Sequence, residues 1–244
     1  MTAGYVWRGA TFEALRRAVA TTADRWPDYA AFAALQERGL RQDALARLRG
    51  FASGLAGQTH DTRWAFVQWL FDAHDFATEI VFEALVPFPL RAVLIDTLQT
   101  ERAKGTAFAF LILARHFAQD AAPRQPDTDA VEALLREGLA HHPKDLPLRI
   151  SLSAHLLGIV QFHGHHWFES RYLGIPSADL RRLAEAESVL EGIEPTPLRA
   201  AIQQTRALLH AWCAFTDAGA SDFPAWCRAQ GLEAPEGTAV YYQP

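Results

Sequence analysis

The sequence contains little cysteine and little lysine, and it has no long apolar run. Its 244 residues include two cysteines, Cys213 and Cys227, and two lysines, Lys104 and Lys144. A disulfide-stabilised scaffold requires many more cysteines, so we expect two free thiols in a reducing cytoplasm. No run approaches the roughly 20 apolar residues that span a bilayer, and the first residues lack the apolar segment of a secretory signal. We therefore expect no membrane partner.

Basic charge is also limited. The chain has 23 basic and 28 acidic residues, a net charge of −5. General nucleic-acid binding requires a basic surface, so we expect no nucleic-acid partner. Six arginines near the N-terminus are interpreted as a solvated helix face, with a nucleic-acid face as the alternative, namely Arg16, Arg17, Arg38, Arg41, Arg47 and Arg49. Arginine outnumbers lysine by 21 to 2, which indicates a GC-rich bacterial genome through codon usage.

The common catalytic signatures are missing from the sequence. It has no glycine-rich phosphate loop, no Walker lysine motif, no Gly-x-Ser-x-Gly elbow and no His-Glu-x-x-His pair. The two lysines also make an enzyme that forms a Schiff base improbable. The sequence therefore favours a protein without catalytic activity.

Hydrophobic residues make up half of the chain, and they recur at spacings of three to four. This spacing predicts helices from end to end, among them residues 11–25, 41–56 and 106–118. Short connections between the helices predict an all-α fold of stacked antiparallel helical hairpins. We expect an N-terminal helical part at 1–119, a linker-like loop at 120–128 and a C-terminal helical part at 129–244, together forming one continuous fold.

Residues 131–156 resemble the junction between two tetratricopeptide repeats. Small or apolar residues precede a proline at the spacings of that repeat, namely Val131, Leu135, Gly138 and Pro143. The following helix has Leu152, Ser153 and Leu156 at the positions where the repeat has leucine, glycine and an aromatic residue. The chain departs from the repeat at Val131, usually alanine, and at Arg149, usually tryptophan.

This resemblance implies an irregular, tetratricopeptide-like α-solenoid and a groove that binds a protein or peptide. Residues 163–191 are also similar to a segment of uncharacterised bacterial helical proteins, and that similarity implies no activity.

The densest group of polar residues is rich in histidine. The candidate metal ligands are imidazoles and one carboxylate, namely His155, His163, His165, His166 and Glu169. Such groups bind zinc or iron, and a helix over 165–172 would place His165 and Glu169 on one face. The alternative is a histidine-rich turn between helices, with Trp167 and Phe168 packed in the core.

Three classes of function follow from these patterns. The first is a helical-repeat protein without catalytic activity that binds another protein or peptide, as a scaffold, an accessory protein or an immunity protein. The second is a metal-dependent enzyme that uses the histidine cluster. The third is a small-ligand binder with an aromatic pocket, for which Trp64, Trp69 and Trp167 are candidates. The oligomeric state does not follow from the sequence.

Overall fold

The computed structural model describes residues 3–22, 24–74, 76, 79–118, 128–194 and 197–233. These ranges contain helices and no strand, which confirms the all-α prediction. No helix in these ranges is long and apolar enough to cross a membrane. The chain divides into two compact units, residues 1–117 and 118–244. Most of the linker-like segment 120–128 lies outside the described residues, and the expectations of one continuous fold and of a solenoid stay predictions.

The described residues of the first unit form seven α-helices, and the last of them continues as a π-helical turn at Leu113–Phe117. In chain order the helices are α1 Ala3–Thr22, α2 Pro27–Glu37, α3 Arg41–Ala56, α4 His60–Ala73, α5 Glu79–Leu85, α6 Phe88–Ala103 and α7 Ala107–Ile112. Proline or a side-chain cap starts several of them. The Thr59 Oγ1, for example, accepts a hydrogen bond from the backbone N–H of Thr62 at the start of α4.

Aromatic side chains fill the core of the first unit. Tyr29, Phe32 and Phe66 are fully buried, and the Tyr29 hydroxyl donates a hydrogen bond to the carbonyl of Leu85 at 2.6 Å. This bond joins α2 to the end of α5. The ring of His116 stacks between Phe71 and Phe82, with ring centroids 5.5 and 5.0 Å away.

In the second unit, the part of the chain that the structure describes forms five α-helices and one 3-10 turn, Trp167–Glu169. The helices are α8 Thr128–His141, α9 Leu146–His163, α10 Pro176–Val189, α11 Pro197–Asp217 and α12 Phe223–Ala229. Helix α9 packs against α8, α10 and α11. Leu135 of α8 and Leu152 and Leu156 of α9 are buried.

Small and basic residues of α9 hold it against α10. The Ser153 hydroxyl is buried and donates a hydrogen bond to the carbonyl of Ala186 at 2.9 Å. Arg149 donates hydrogen bonds to the carbonyls of Val189 and Glu191 at 2.7 and 2.5 Å. These carbonyls lie at the C-terminal end of α10, where they have no partner within the helix. The arginine that departs from the tetratricopeptide pattern therefore caps a helix in this chain.

Candidate functional site

The expected histidine-rich segment forms a turn that we call the histidine turn, residues 162–175. Helix α9 ends at His163, and the chain then reverses through Gly164 and the 3-10 turn. The returning segment of the turn contacts the end of α9, because the N–H of Leu173 donates to the carbonyl of His163 at 3.0 Å. The N–H of Arg171 donates to the carbonyl of His166 at 3.1 Å.

Residues 165–172 do not form the α-helix that would place His165 and Glu169 on one face. A β-carbon at Gly164 would lie 2.7 Å from the ring of Trp167, so the indole packs where a side chain would otherwise be. Ser170 has a φ of 54°, in the left-handed region that ends helical turns. His165 and Glu169 therefore do not face each other across one helical turn, and Glu169 pairs instead with His166.

Asp179 of α10 is the buried centre that holds the histidine turn. Its side chain is completely shielded from water and accepts three hydrogen bonds. Tyr172 Oη and His163 Nδ1 donate to Oδ2 at 2.6 and 2.8 Å, and Arg182 Nη1 donates to Oδ1 at 2.6 Å. Gly174 permits this approach, since a β-carbon there would lie 2.5 Å from Nδ1 of His163 and closer still to the carboxylate.

The charge of Asp179 is stabilised by these donors. Burial raises the pKa of the carboxyl, but the hydrogen bonds from Tyr172, His163 and Arg182 outweigh burial and keep it below its ordinary value. An ionised carboxylate only accepts hydrogen bonds, so Nδ1 of His163 holds the proton of that bond. Burial and the same carboxylate raise the pKa of Tyr172 far above its ordinary value.

The other predicted metal ligands separate into two places. The rings of His165 and His166 have centroids 3.8 Å apart, and Nδ1 of His166 lies 3.0 Å from Oε2 of Glu169. His165 stacks on Phe162 at 5.0 Å, and its Nδ1 contacts the Phe162 carbonyl oxygen. His155 lies two turns earlier in α9, about 12 Å from His163 along the helix axis.

The arrangement gathers these residues only in part. His165, His166 and Glu169 lie together, His163 pairs with Asp179, and Nε2 of His155 is buried without a hydrogen-bond partner among the described residues. In the described part of the chain, no three or more His, Cys, Asp or Glu side chains are grouped to hold a metal ion. Metal binding by the five predicted residues stays a prediction.

Three exposed apolar side chains belong to the histidine turn. Phe162, Leu173 and Ile175 are 65%, 49% and 69% exposed, and we call them the apolar patch. The hydrogen bond from the N–H of Leu173 to the carbonyl of His163 places Leu173 beside the end of α9. The sequence-based predictions did not include this patch, although apolar residues beside Gly174 and Pro176 that follow no helical spacing indicate it. No comparable signal marks Asp179.

The other cysteine and histidine candidates lie in surroundings that suit a structural role. Cys213 is a half-buried free thiol, and Cys227 is a buried one whose pKa is raised by burial. In the first unit, His60 Nε2 bonds Oε1 of Glu101 at 2.6 Å. Burial raises the pKa of Glu101, but donors from Lys104, Thr106 and His60 bring it down to about 2.

Comparison with known proteins identifies no relative. No protein-family model, no curated protein and no solved structure matches the chain. The resemblance of residues 131–156 to tetratricopeptide repeats therefore stays a prediction. The function has to be proposed from the geometry of the described residues.

Proposed function

We propose that this protein has no catalytic activity and binds another protein or a peptide through the apolar patch. The observation that supports this proposal is the exposure of Phe162, Leu173 and Ile175 on one turn. Single exposed apolar residues are ordinary on protein surfaces, whereas a group of them is typical of an interaction site. The resemblance of residues 131–156 to tetratricopeptide repeats supports the same class of function.

The backbone under the patch is well ordered by its contacts. Asp179 holds His163 and Tyr172, and the ring of Tyr172 stacks on Trp167 at 5.5 Å with an angle of 10° between the planes. The Ser170 hydroxyl accepts a hydrogen bond from the N–H of Phe223 in α12 at 2.8 Å. A surface that is already fixed loses little conformational entropy on binding, which favours affinity.

The charges around the patch indicate the chemistry of the partner. Arg171 is exposed on the returning part of the turn, and Arg181 is exposed on α10. The imidazole of His165 is exposed, and that of His166 is half-buried. Glu169 is the one acidic side chain of the turn, and it pairs with His166. The surface therefore suits an apolar segment flanked by acidic residues.

Site-specific photo-crosslinking in cells tests this proposal. A photoreactive amino acid is placed at position 162 or 175, and at position 88 as a matched control. Phe88 is 83% exposed and belongs to the first unit. We expect one protein to be captured at 162 and 175 and not at 88. Equal capture at all three positions, or none at 162 and 175, would contradict the proposal.

A metal-dependent enzyme is the second candidate. Nδ1 of His166 lies 3.0 Å from Glu169 Oε2 but makes no hydrogen bond among the described residues. Nδ1 of His163 and Nδ1 of His165 each contacts an oxygen, namely Asp179 Oδ2 and the Phe162 carbonyl. Histidines that bind a metal through Nε2 commonly have Nδ1 engaged in this way. Calorimetric titration with zinc tests this candidate. If it is correct, the chain binds one equivalent of zinc, and the variants H163A and H165A lose that binding.

A further inference from the structure

The first unit contains a cavity of about 290 Å³ between the start of α2, the end of α3 and the start of α4. Its walls include aromatic, aliphatic and glycine residues, with one guanidinium: Arg25, Trp26, Gly50, Phe51, Gly54 and Leu55. This volume lies just below the range for small-molecule sites, roughly 300 to 1,000 Å³. The cavity is therefore large enough for a small aromatic molecule.

Two glycines of α3 leave the space open. Gly50 and Gly54 are four residues apart on the helix, so they lie on the same face. A β-carbon built at either position would have no atom within 4 Å. Glycine lowers the stability of a helix interior by about 1 kcal/mol relative to alanine, and no close contact here requires it. The free space beside these glycines is consistent with a site that a ligand occupies.

The cavity has an aromatic wall that suits a flat apolar ligand. Trp26 and Phe51 both line it. Each of them packs edge-on against Phe66 of α4, with ring centroids 5.2 and 5.0 Å from the Phe66 ring. Their positions are therefore fixed by the core of the first unit. Fixed aromatic rings favour a flat apolar ligand, since such a ligand can stack on them without ordering new side chains.

Arg25 gives the cavity a positive charge. Its guanidinium lies 5.3 Å from the centroid of the Trp26 ring, and it makes no ion pair with any described carboxylate. Asp28, which also lines the cavity, is neutralised by Arg47 at 2.7 Å. A second opening beside Arg25 also includes Asp72, whose charge disfavours an anion there. An anion is therefore favoured in the first cavity.

We propose that this cavity binds a small aromatic carboxylate, with its ring against Trp26 and Phe51 and its carboxylate on Arg25. The aromatic wall and the space beside Gly50 and Gly54 would accept the ring. The guanidinium, which has no other described carboxylate partner, would form a charge-assisted hydrogen bond with the carboxylate. This site is independent of the apolar patch, and the residues differ from the tryptophans named from the sequence.

The proposal is tested with 1-naphthoate and its neutral amide, 1-naphthamide, by isothermal titration calorimetry on the full chain. We expect 1-naphthoate to bind with a dissociation constant below about 1 mM, and R25Q to weaken it roughly tenfold. Because Arg25 is exposed, R25Q should leave the melting temperature unchanged. Binding of 1-naphthamide should be weaker and insensitive to R25Q. Failure of 1-naphthoate to bind, or equal binding of the two probes, would overturn the proposal.

A pair of glycine variants locates the site. G54L fills the cavity and should abolish 1-naphthoate binding, while G158L in α9 should leave it unchanged. Both glycines are exposed inside helices, and neither has an atom within 4 Å of an added β-carbon, so both variants should fold. Melting temperatures at or above that of the wild type would confirm folding. Binding that survives in a folded G54L variant would overturn the assignment to this cavity.

Discussion

Asp179 accepts hydrogen bonds from an imidazole, a phenol and a guanidinium while its side chain is shielded from water. A buried carboxylate of this kind is expensive to desolvate and is stable only while its donors remain in place. The donors come from the end of α9, from the returning chain at Tyr172 and from α10. The geometry of the histidine turn therefore depends on one charge.

Replacing Asp179 by Asn should lower the free energy of unfolding by about 3 kcal/mol, because three donors lose their charged acceptor. Urea denaturation at neutral pH measures this loss. The control is E185Q, which removes a half-exposed ion pair with Arg136 at 2.5 Å. Such pairs contribute at most about 1 kcal/mol. A loss in D179N no larger than that in E185Q would contradict the account of the buried centre.

Two histidines of the first unit make its stability depend on pH. Burial, followed by the charge of Arg17, lowers the pKa of His74 from 6.5 to about 4. Burial, followed by the charge of Arg115, lowers the pKa of His116 from 6.5 to about 4. Between about pH 4 and pH 6.5, the unfolded chain therefore binds more protons than the folded one. The free energy of unfolding should therefore decrease as the pH falls from 6.5 to 4.

The variant H116F isolates the contribution of His116. Phenylalanine keeps a ring between Phe71 and Phe82 but cannot bind a proton. The difference in unfolding free energy between H116F and the wild type should grow as the pH falls from 6.5 to 4, by up to about 1.4 kcal/mol per pH unit. Denaturation curves at pH 7 and pH 4.5 measure it. A difference that does not change with pH would show that His116 titrates normally.

At the scale of helices and turns, apolar spacing and end signals predicted most of the elements. The predicted range 41–56 coincides with α3. The start of α1 was placed too late, at residue 11, because Ala3–Gly9 shows little apolar periodicity. The range 106–118 was predicted as one helix, whereas the structure has α7 followed by a π-helical turn. Local spacing does not distinguish these two forms.

The candidate site was less predictable than the helices. The sequence indicated a histidine-rich turn as one alternative, and the structure shows that turn. It could not indicate that Asp179, sixteen residues after His163, would accept the hydrogen bond of its imidazole. This contact depends on how α10 packs against α9 and on the missing side chain at Gly174. Such long-range contacts follow from tertiary packing, which periodicity does not encode.

Removing apolar volume from α9 tests its packing against α8. Leu152 is buried, and L152A should lower the free energy of unfolding by about 2–5 kcal/mol. The control is L146A, at the exposed first position of the same helix, where the loss should stay below about 0.5 kcal/mol. Guanidinium denaturation measures both variants. Similar losses at the two positions would contradict the buried position of Leu152.

At the scale of the whole molecule, the two compact units offer different surfaces. The second unit exposes the apolar patch on an ordered turn, and the first contains a cavity with a positive charge. The proposed binding of a protein or peptide depends on the patch alone. Variants in the two units should therefore separate the binding of a protein or peptide from the binding of an aromatic carboxylate, since neither R25Q nor G54L alters the histidine turn.

The most direct test of the binding proposal is the dissociation constant of the partner captured by crosslinking, measured with purified I175D and F88D. Ile175 is the N-cap residue of α10 and makes no side-chain capping bond, so aspartate there should favour the helix. Phe88 begins α6, where an acidic residue is also favourable. We predict binding about tenfold weaker in I175D and unchanged in F88D. Equal dissociation constants for I175D and the wild type would contradict the proposed role of the apolar patch.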